Sequence, residues 1–324
     1  MNPSIGLLVG ATLFTIMFAL GLSLEGNTLG LLHRRPALMA RVLIGSCVLV
    51  PLAALLLLQV PWSEGLSQPS RFGIGLMALS PSAPLILRKA GKQGGNRQLA
   101  AMLQATAAVA AIVSIPLMAD LFGAVFRVGG WNITPAMVAR QVGQAQVLPL
   151  LAGLLLRRSL PRWAARLQGP LDRIANGLLL LLIVAVLLKT GHLLVPFVAA
   201  NGLAVLFMAV VVLASLAIGS LLAGASFDER ISEERITEER ITVALVTSMR
   251  NPGLALLFAT TYGAGMEGLK LAILAYLLVT VLVSVPFLRW QRSLRLSMVS
   301  GSGPGSDSGA RRTGGDNRRR SDRH

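Results

Sequence analysis

Long apolar runs alternate with basic turns over nearly the whole of this chain, and that alternation leaves few folds open. Of 324 residues, 54% are apolar and only 14% are charged. A soluble globular domain does not carry that balance, whereas a chain that crosses a lipid bilayer several times does. The hydrocarbon core offers no water to backbone N–H and C=O groups, so each crossing must satisfy its own, and a helix of about 20 apolar residues does so. Hydropathy places nine spans, at residues 4–24, 40–60, 72–88, 99–122, 142–156, 174–196, 203–225, 241–262 and 268–288. The fifth is short and opens with Gln141, Gln144 and Gln146. The expected fold class is all-α, a polytopic helical membrane protein with nine transmembrane helices.

Charge placement supports the count. Arg34, Arg35 and Arg41 lie in the first loop, Arg88, Lys89, Lys92 and Arg97 in the third. Arg157, Arg158, Arg162, Arg166 and Arg173 lie in the fifth, and Arg230, Arg235 and Arg240 in the seventh. With the tail, this side holds 24 of the 30 basic residues. Cytoplasmic loops carry the Lys/Arg excess, so the amino terminus is expected outside and the carboxyl terminus in the cytoplasm, in an inner or plasma membrane. Removing the weak fifth span would scramble the alternation.

Residues 1–298 form the expected transmembrane domain, and 299–324 a disordered basic tail of Gly, Ser, Asp and Arg with nothing to nucleate a core. The net charge of +16 does not imply nucleic acid, because no folded binding module accompanies it. The bilayer is the expected partner, and oligomeric state is left open. The first apolar run has no basic residue before it and reads as a retained span, not a cleaved leader. The lone Cys47 reads as a packing residue, and three histidines suggest no metal cluster. In the seventh loop Glu-Arg-Ile-Ser/Thr recurs at 229–242. The repeat reads as a self-neutralising helical extension of the eighth span, a duplication without its own function.

Two spans are interrupted by helix breakers beside polar side chains. The third carries Leu79-Ser80-Pro81-Ser82-Ala83-Pro84 and the eighth Thr247-Ser248-Met249-Arg250-Asn251-Pro252-Gly253. Two prolines three apart cannot both occupy an unbroken helix interior. A guanidinium at membrane depth costs several kcal/mol unless it meets a cavity or a partner. Irregular backbone there is tolerated only when buried in protein or lining a cavity, and paired interruptions in two halves mark transporter binding sites. The competing reading is two proline kinks that only shape the bundle, which leaves Arg250 beside Asn251 unexplained. Gln104 and Thr106 on the fourth span either face the same cavity or bond a neighbouring helix. Lys189 and His192 snorkel near the outer end of the sixth span. The sequence carries no phosphate-cradling loop, metal spacing or nucleophile–base pattern, so neither an enzyme nor an ATP-driven pump is expected.

With these motifs in hand, the chain resembles the bile acid:sodium symporter family over roughly residues 4–290. Met249-Arg250-Asn251-Pro252-Gly253-Leu254-Ala255 resembles the family's Met-Gln-Asn-Ser-Gly-Leu-Ala signature. Phe18-Ala19-Leu20-Gly21-Leu22-Ser23-Leu24 is similar to its glycine-leucine motif, and Leu79–Pro84 to its Cys-Pro-Gly-Gly crossover. Leu148-Pro149-Leu150-Leu151-Ala152-Gly153 is similar to its later Leu-Pro…Gly motif. The resemblance implies inverted repeats, a panel domain, and a core domain with two broken crossing helices. Nine spans fit members that lack the first helix. It also implies secondary transport of a small organic anion, with Ser80, Pro81, Ser82, Pro84, Gln104, Thr106, Thr247, Ser248, Met249, Arg250, Asn251, Pro252 and Gly253 at the crossover.

The departures bear on coupling. Sodium-using members carry a glutamate three residues before the motif methionine and a glutamine after it; here those positions hold Val246 and Arg250. Hard cations need oxygen ligands, so at least one sodium site is expected to be lost and coupling weakened. No cofactor is expected; sodium is the one candidate ion, and these departures argue against it. Arg250 is then either the anion's partner or a fixed charge in place of a coupling ion. The alternative function is a non-transporting sensor or scaffold that kept the fold, which solute uptake into proteoliposomes would separate from a carrier. A channel would reveal itself by single-channel currents.

Overall fold

The fold follows from helices that begin at prolines and end where backbone donors run out. The computed structural model describes residues 3–24, 30, 33–81, 95–126, 135–224, 233–263, 265–266 and 268–301, and every regular element among them is helical. In chain order these are α1 (Pro3–Ser23), α2 (Pro36–Leu57), α3 (Gln68–Leu79), α4 (Arg97–Phe126), α5 (135–159), α6 (Pro161–Ala200), α7 (Gly202–Gly224), α8 (Glu233–Ser248), α9 (Pro252–Tyr262) and α10 (Leu269–Gly301). Proline opens α2, α6 and α9, where its missing N–H costs nothing and its fixed φ is already helical.

A helix overlaps each apolar stretch read from the sequence. Six segments among the described residues are both long and apolar enough to cross a bilayer: Pro36–Leu57, Arg97–Phe126, Pro161–Ala185, Gly202–Ala223, Ile236–Thr261 and Leu269–Phe287. Leu7–Ser23 and Leu187–Ala200 are shorter apolar helices. In the third stretch, expected to reach residue 88, α3 ends at Leu79; residues 82–88, with Ser82 and Pro84, lie outside the described residues. The tail beyond Gly301 lies outside them too.

Small residues let the helices approach. Gly21 of α1 and Gly153 of α5, one from each of two family-like motifs, face each other. A Cβ on Gly21 would overlap the Leu150 carbonyl, and one on Gly153 the Phe18 carbonyl. Gly219 of α7 lies against the Ala244 backbone of α8 in the same manner. Close backbone approach through small residues is how apolar helices associate where lipid removes any hydrophobic gain. α7 runs along α8, α1 along α5 and α6, and α10 along α3 and α7.

Hydrogen bonds tie turns to one another at two levels. Arg35 pairs with Glu239, the Asn96 N–H donates to Thr242 Oγ1 at 2.8 Å, and Arg97 reaches Asp172 at 3.5 Å. These join the first, third, fifth and seventh loops. Ser67 donates to Asn201 Oδ1 at 3.0 Å, joining the second and sixth loops. Residues 233–242 of the tandem repeat are helical as expected, yet Glu239 neutralises Arg35 of another loop and Thr242 anchors the start of α4. The repeat's last copy therefore docks α8, which its local charge pattern did not reveal.

Candidate functional site

The chain leaves helical geometry at Met249, Arg250 and Asn251, between α8 and α9. Pro252 lacks an N–H to continue the ladder, and Asn251 restarts it: its Oδ1 accepts from the Leu254 N–H at 3.1 Å, capping α9. The Asn251 N–H itself donates to the Ser80 carbonyl at 3.0 Å. Ser80 is the residue at which α3 stops, and its hydroxyl turns back to the Leu76 carbonyl at 2.7 Å. One interruption thus supplies the donor for the carbonyl that the other leaves open. Ser80, Pro81, Thr247, Ser248, Met249, Arg250 and Asn251 are all buried.

Arg250 is 1% exposed and is the bulkiest of the fully buried side chains among the described residues. Its Nη1 donates to the Ser46 carbonyl of α2 at 2.8 Å. That acceptor exists for a local reason. Residues Gly45–Leu49 form a π-turn in which the Val50 N–H reaches back five residues to Gly45. The next donor in this register would serve Ser46, but residue 51 is proline and has none. A carbonyl stripped of its helical partner is thereby aimed at a guanidinium 204 residues away. Tyr276 of α10 and Cys47 of α2 are the groups electrostatically nearest that charge. The Arg250 Nε and Nη2, the Tyr276 hydroxyl, Thr247 Oγ1 and Asn251 Nδ2 are buried without a hydrogen-bond partner among the described residues.

Beside the interruption lies a cavity of about 260 Å³. Met249, Arg250, Asn251, Pro252 and Gly253 form one wall; Thr12, Leu13 and Ile16 of α1, the leucines of α6 and α10, and Thr280 form the others. Thr12 and Thr280 spend their hydroxyls on the Leu8 and Tyr276 carbonyls, at 2.6 and 2.8 Å, so the walls are almost wholly apolar. Ser46, Cys47 and Tyr276 do not line it, which turns the Nη1 corner of the guanidinium out of the cavity, toward α2. Cavities with apolar walls and a few convergent polar groups suit small organic molecules.

The sequence-derived set is therefore divided. Residues 249–253 line the cavity, and Ser80 joins them through the backbone. Gln104 is buried on α4 and does not line it. Neither does Thr106, whose hydroxyl bonds the Met102 and Leu103 carbonyls of its own helix at 2.9 and 3.1 Å. Ser248 turns to Leu245 at 3.4 Å. Lys189 and His192 are exposed. Sequence reasoning passed over Ser46, Tyr276 and the leucine walls of α6 and α10. The signal for Ser46 was present as a proline six residues after Gly45 within an apolar run; leucines in an apolar helix carry none.

A family model described as the sodium bile acid symporter family matches residues 11–224, about two thirds of the chain. The match ends before the Met249–Ala255 segment. No curated protein matches the chain.

Proposed function

The chain belongs to the sodium bile acid symporter family, a multi-pass membrane transporter family rather than an enzyme family, and from that premise we propose that it is a secondary-active carrier of a small organic anion whose sodium coupling is weakened or lost. The single observation that carries this reading is Arg250, a buried guanidinium at the interruption between α8 and α9, in the wall of an apolar cavity. The cavity accepts an apolar body, and the guanidinium attracts the charged end. Val246 and Arg250 stand where sodium-using members resembling this chain place a carboxylate and an amide. A cation 4 Å from a sodium ion is repelled by about 4 kcal/mol at an effective dielectric of 20.

The bonds between odd-numbered loops, and between even-numbered ones, support nine spans with the amino terminus outside and the carboxyl terminus in the cytoplasm. The meeting of the interruptions at Ser80 and Asn251 supports a core of two broken helices. The charge bias puts the basic loops on the cytoplasmic face, and we place the protein in the inner or plasma membrane. The test is uptake by purified protein in proteoliposomes as sodium is exchanged for choline at fixed ionic strength. Uptake that varies less than about twofold is expected; a steep, saturable sodium dependence would overturn the reading of residues 246 and 250.

A further inference from the structure

Among the described residues no carboxylate pairs with Arg250. The chain has 14 acidic residues, and of the nine apolar spans only the fourth contains one, Asp120, exposed near the end of α4. Its electrostatic neighbours Tyr276 and Cys47 are both neutral in their ordinary state near pH 7. Arginine cannot release its proton there, so the interior carries a permanent +1. The Ser46 carbonyl holds Nη1, while Nε and Nη2, which share one edge of the guanidinium, are buried with no partner among the described residues. That edge is the one that takes two oxygens of an anionic group in parallel.

We infer that this protein is an obligatory, electroneutral exchanger of monovalent organic anions with apolar bodies, an inference that rests on the carrier reading above. Alternating access takes the site through a state closed to water on both sides. With a monoanion on the free edge of Arg250, the closed site holds +1 and −1 and is neutral. Without one it holds an isolated buried cation, and removing one partner of a buried pair slows such a step by roughly 100-fold or more. The carrier therefore crosses loaded in both directions: one monoanion in, one out, with no net charge moved. In a sodium symporter with a carboxylate in this place the signs are reversed, since there the cation neutralises the empty site. The cavity of about 260 Å³, with its almost wholly apolar walls, has room for an alkyl body.

The probe is octane-1-sulfonate, which is ionised at every working pH and cannot cross a bilayer as the free acid. Labelled probe is offered to proteoliposomes containing either the unlabelled probe or buffer alone. Uptake into the preloaded vesicles is expected to be at least about 10-fold faster, unchanged by a potassium diffusion potential and by replacing sodium with choline. Equal uptake with and without internal anion overturns exchange and leaves the carrier reading standing; no uptake in either vesicle overturns both for this anion class. Arg250→Lys keeps the charge and is expected to keep the preloading ratio at a weaker apparent affinity. Arg250→Gln removes the charge and is expected to bring the ratio near one. A ratio that survives in Arg250→Gln overturns the assignment to this side chain.

Discussion

The two π-turns among the described residues are built from the same local device and put to different uses. In α2, Gly45–Leu49 is followed after one residue by Pro51; in α5, Gly143–Val147 is followed after one residue by Pro149. In each, the residue ahead of the proline donates five residues back to the glycine, and the proline then leaves the following carbonyl, that of Ser46 or Gln144, without its helical donor. Ser46 is buried and its carbonyl receives Arg250. Gln144 is exposed near the start of the fifth apolar stretch, away from Arg250 and the cavity. The same opened acceptor is a binding element where it faces the interior and an inconsequential kink where it faces out. π-turns and prolines in membrane helices therefore acquire meaning only from the face they occupy.

The largest expected effect comes from taking the donor away from the first turn. Arg250→Met should lower anion uptake about 100-fold or more, while the melting temperature in detergent changes by only a few degrees, because an apolar side chain of similar length also removes an unbalanced buried charge. Loss of folded protein instead would make Arg250 a structural strut and erase the contrast between the turns. Next comes the proline itself. Pro51→Ala restores an N–H that competes for the Ser46 carbonyl, a hydrogen bond of about 1 kcal/mol, so uptake should fall several-fold to 10-fold. Pro149→Ala should change uptake less than about twofold. Equal effects in the pair would show that both prolines act on helix shape alone.

Smaller effects sharpen the comparison by marking what merely supports it. Asn251→Ala removes the cap of α9 and should cost about 1 kcal/mol of stability in thermal or denaturant unfolding, whichever way Arg250 points. An unchanged stability would mean that the cap geometry contributes nothing. The smallest effect belongs to the pair Arg35 and Glu239, which is partly exposed to solvent. A double-mutant cycle with alanine at each should give a coupling of about 0.2–1 kcal/mol that fades as salt is raised. A larger, salt-insensitive coupling would place that loop contact among the interactions that decide the fold.

The chain alone points to interruptions within Leu79–Pro84 and Thr247–Gly253, because the missing N–H groups of Pro81, Pro84 and Pro252 are visible in the sequence; the structure narrows them to the end of α3 at Leu79 and the non-helical Met249–Asn251. The chain alone also grouped Gln104 and Thr106 with that site as one of two readings. Neither lines the cavity, and Thr106 spends its hydroxyl within its own helix. A polar residue in an apolar helix marks a face, but neighbours decide what the face meets. The motif glycines Gly21 and Gly153 were legible as family-like, and their reason, a backbone-to-backbone approach of α1 and α5, emerges only from the packing.

By itself, then, the sequence determined that this is a helical membrane protein, where its helices break, and that a cation sits at one break. These follow from hydropathy and from donors that proline lacks, properties that each residue carries with it. Only the tertiary structure decided that Arg250 bonds the Ser46 carbonyl, that Ser80 meets Asn251, and that leucines of α6 and α10 close a cavity beside them. Those partners lie far apart along the chain, on helices whose apolar surfaces are chemically alike. Which faces meet is set by small residues and side-chain shape at the crossings, and no local pattern encodes it.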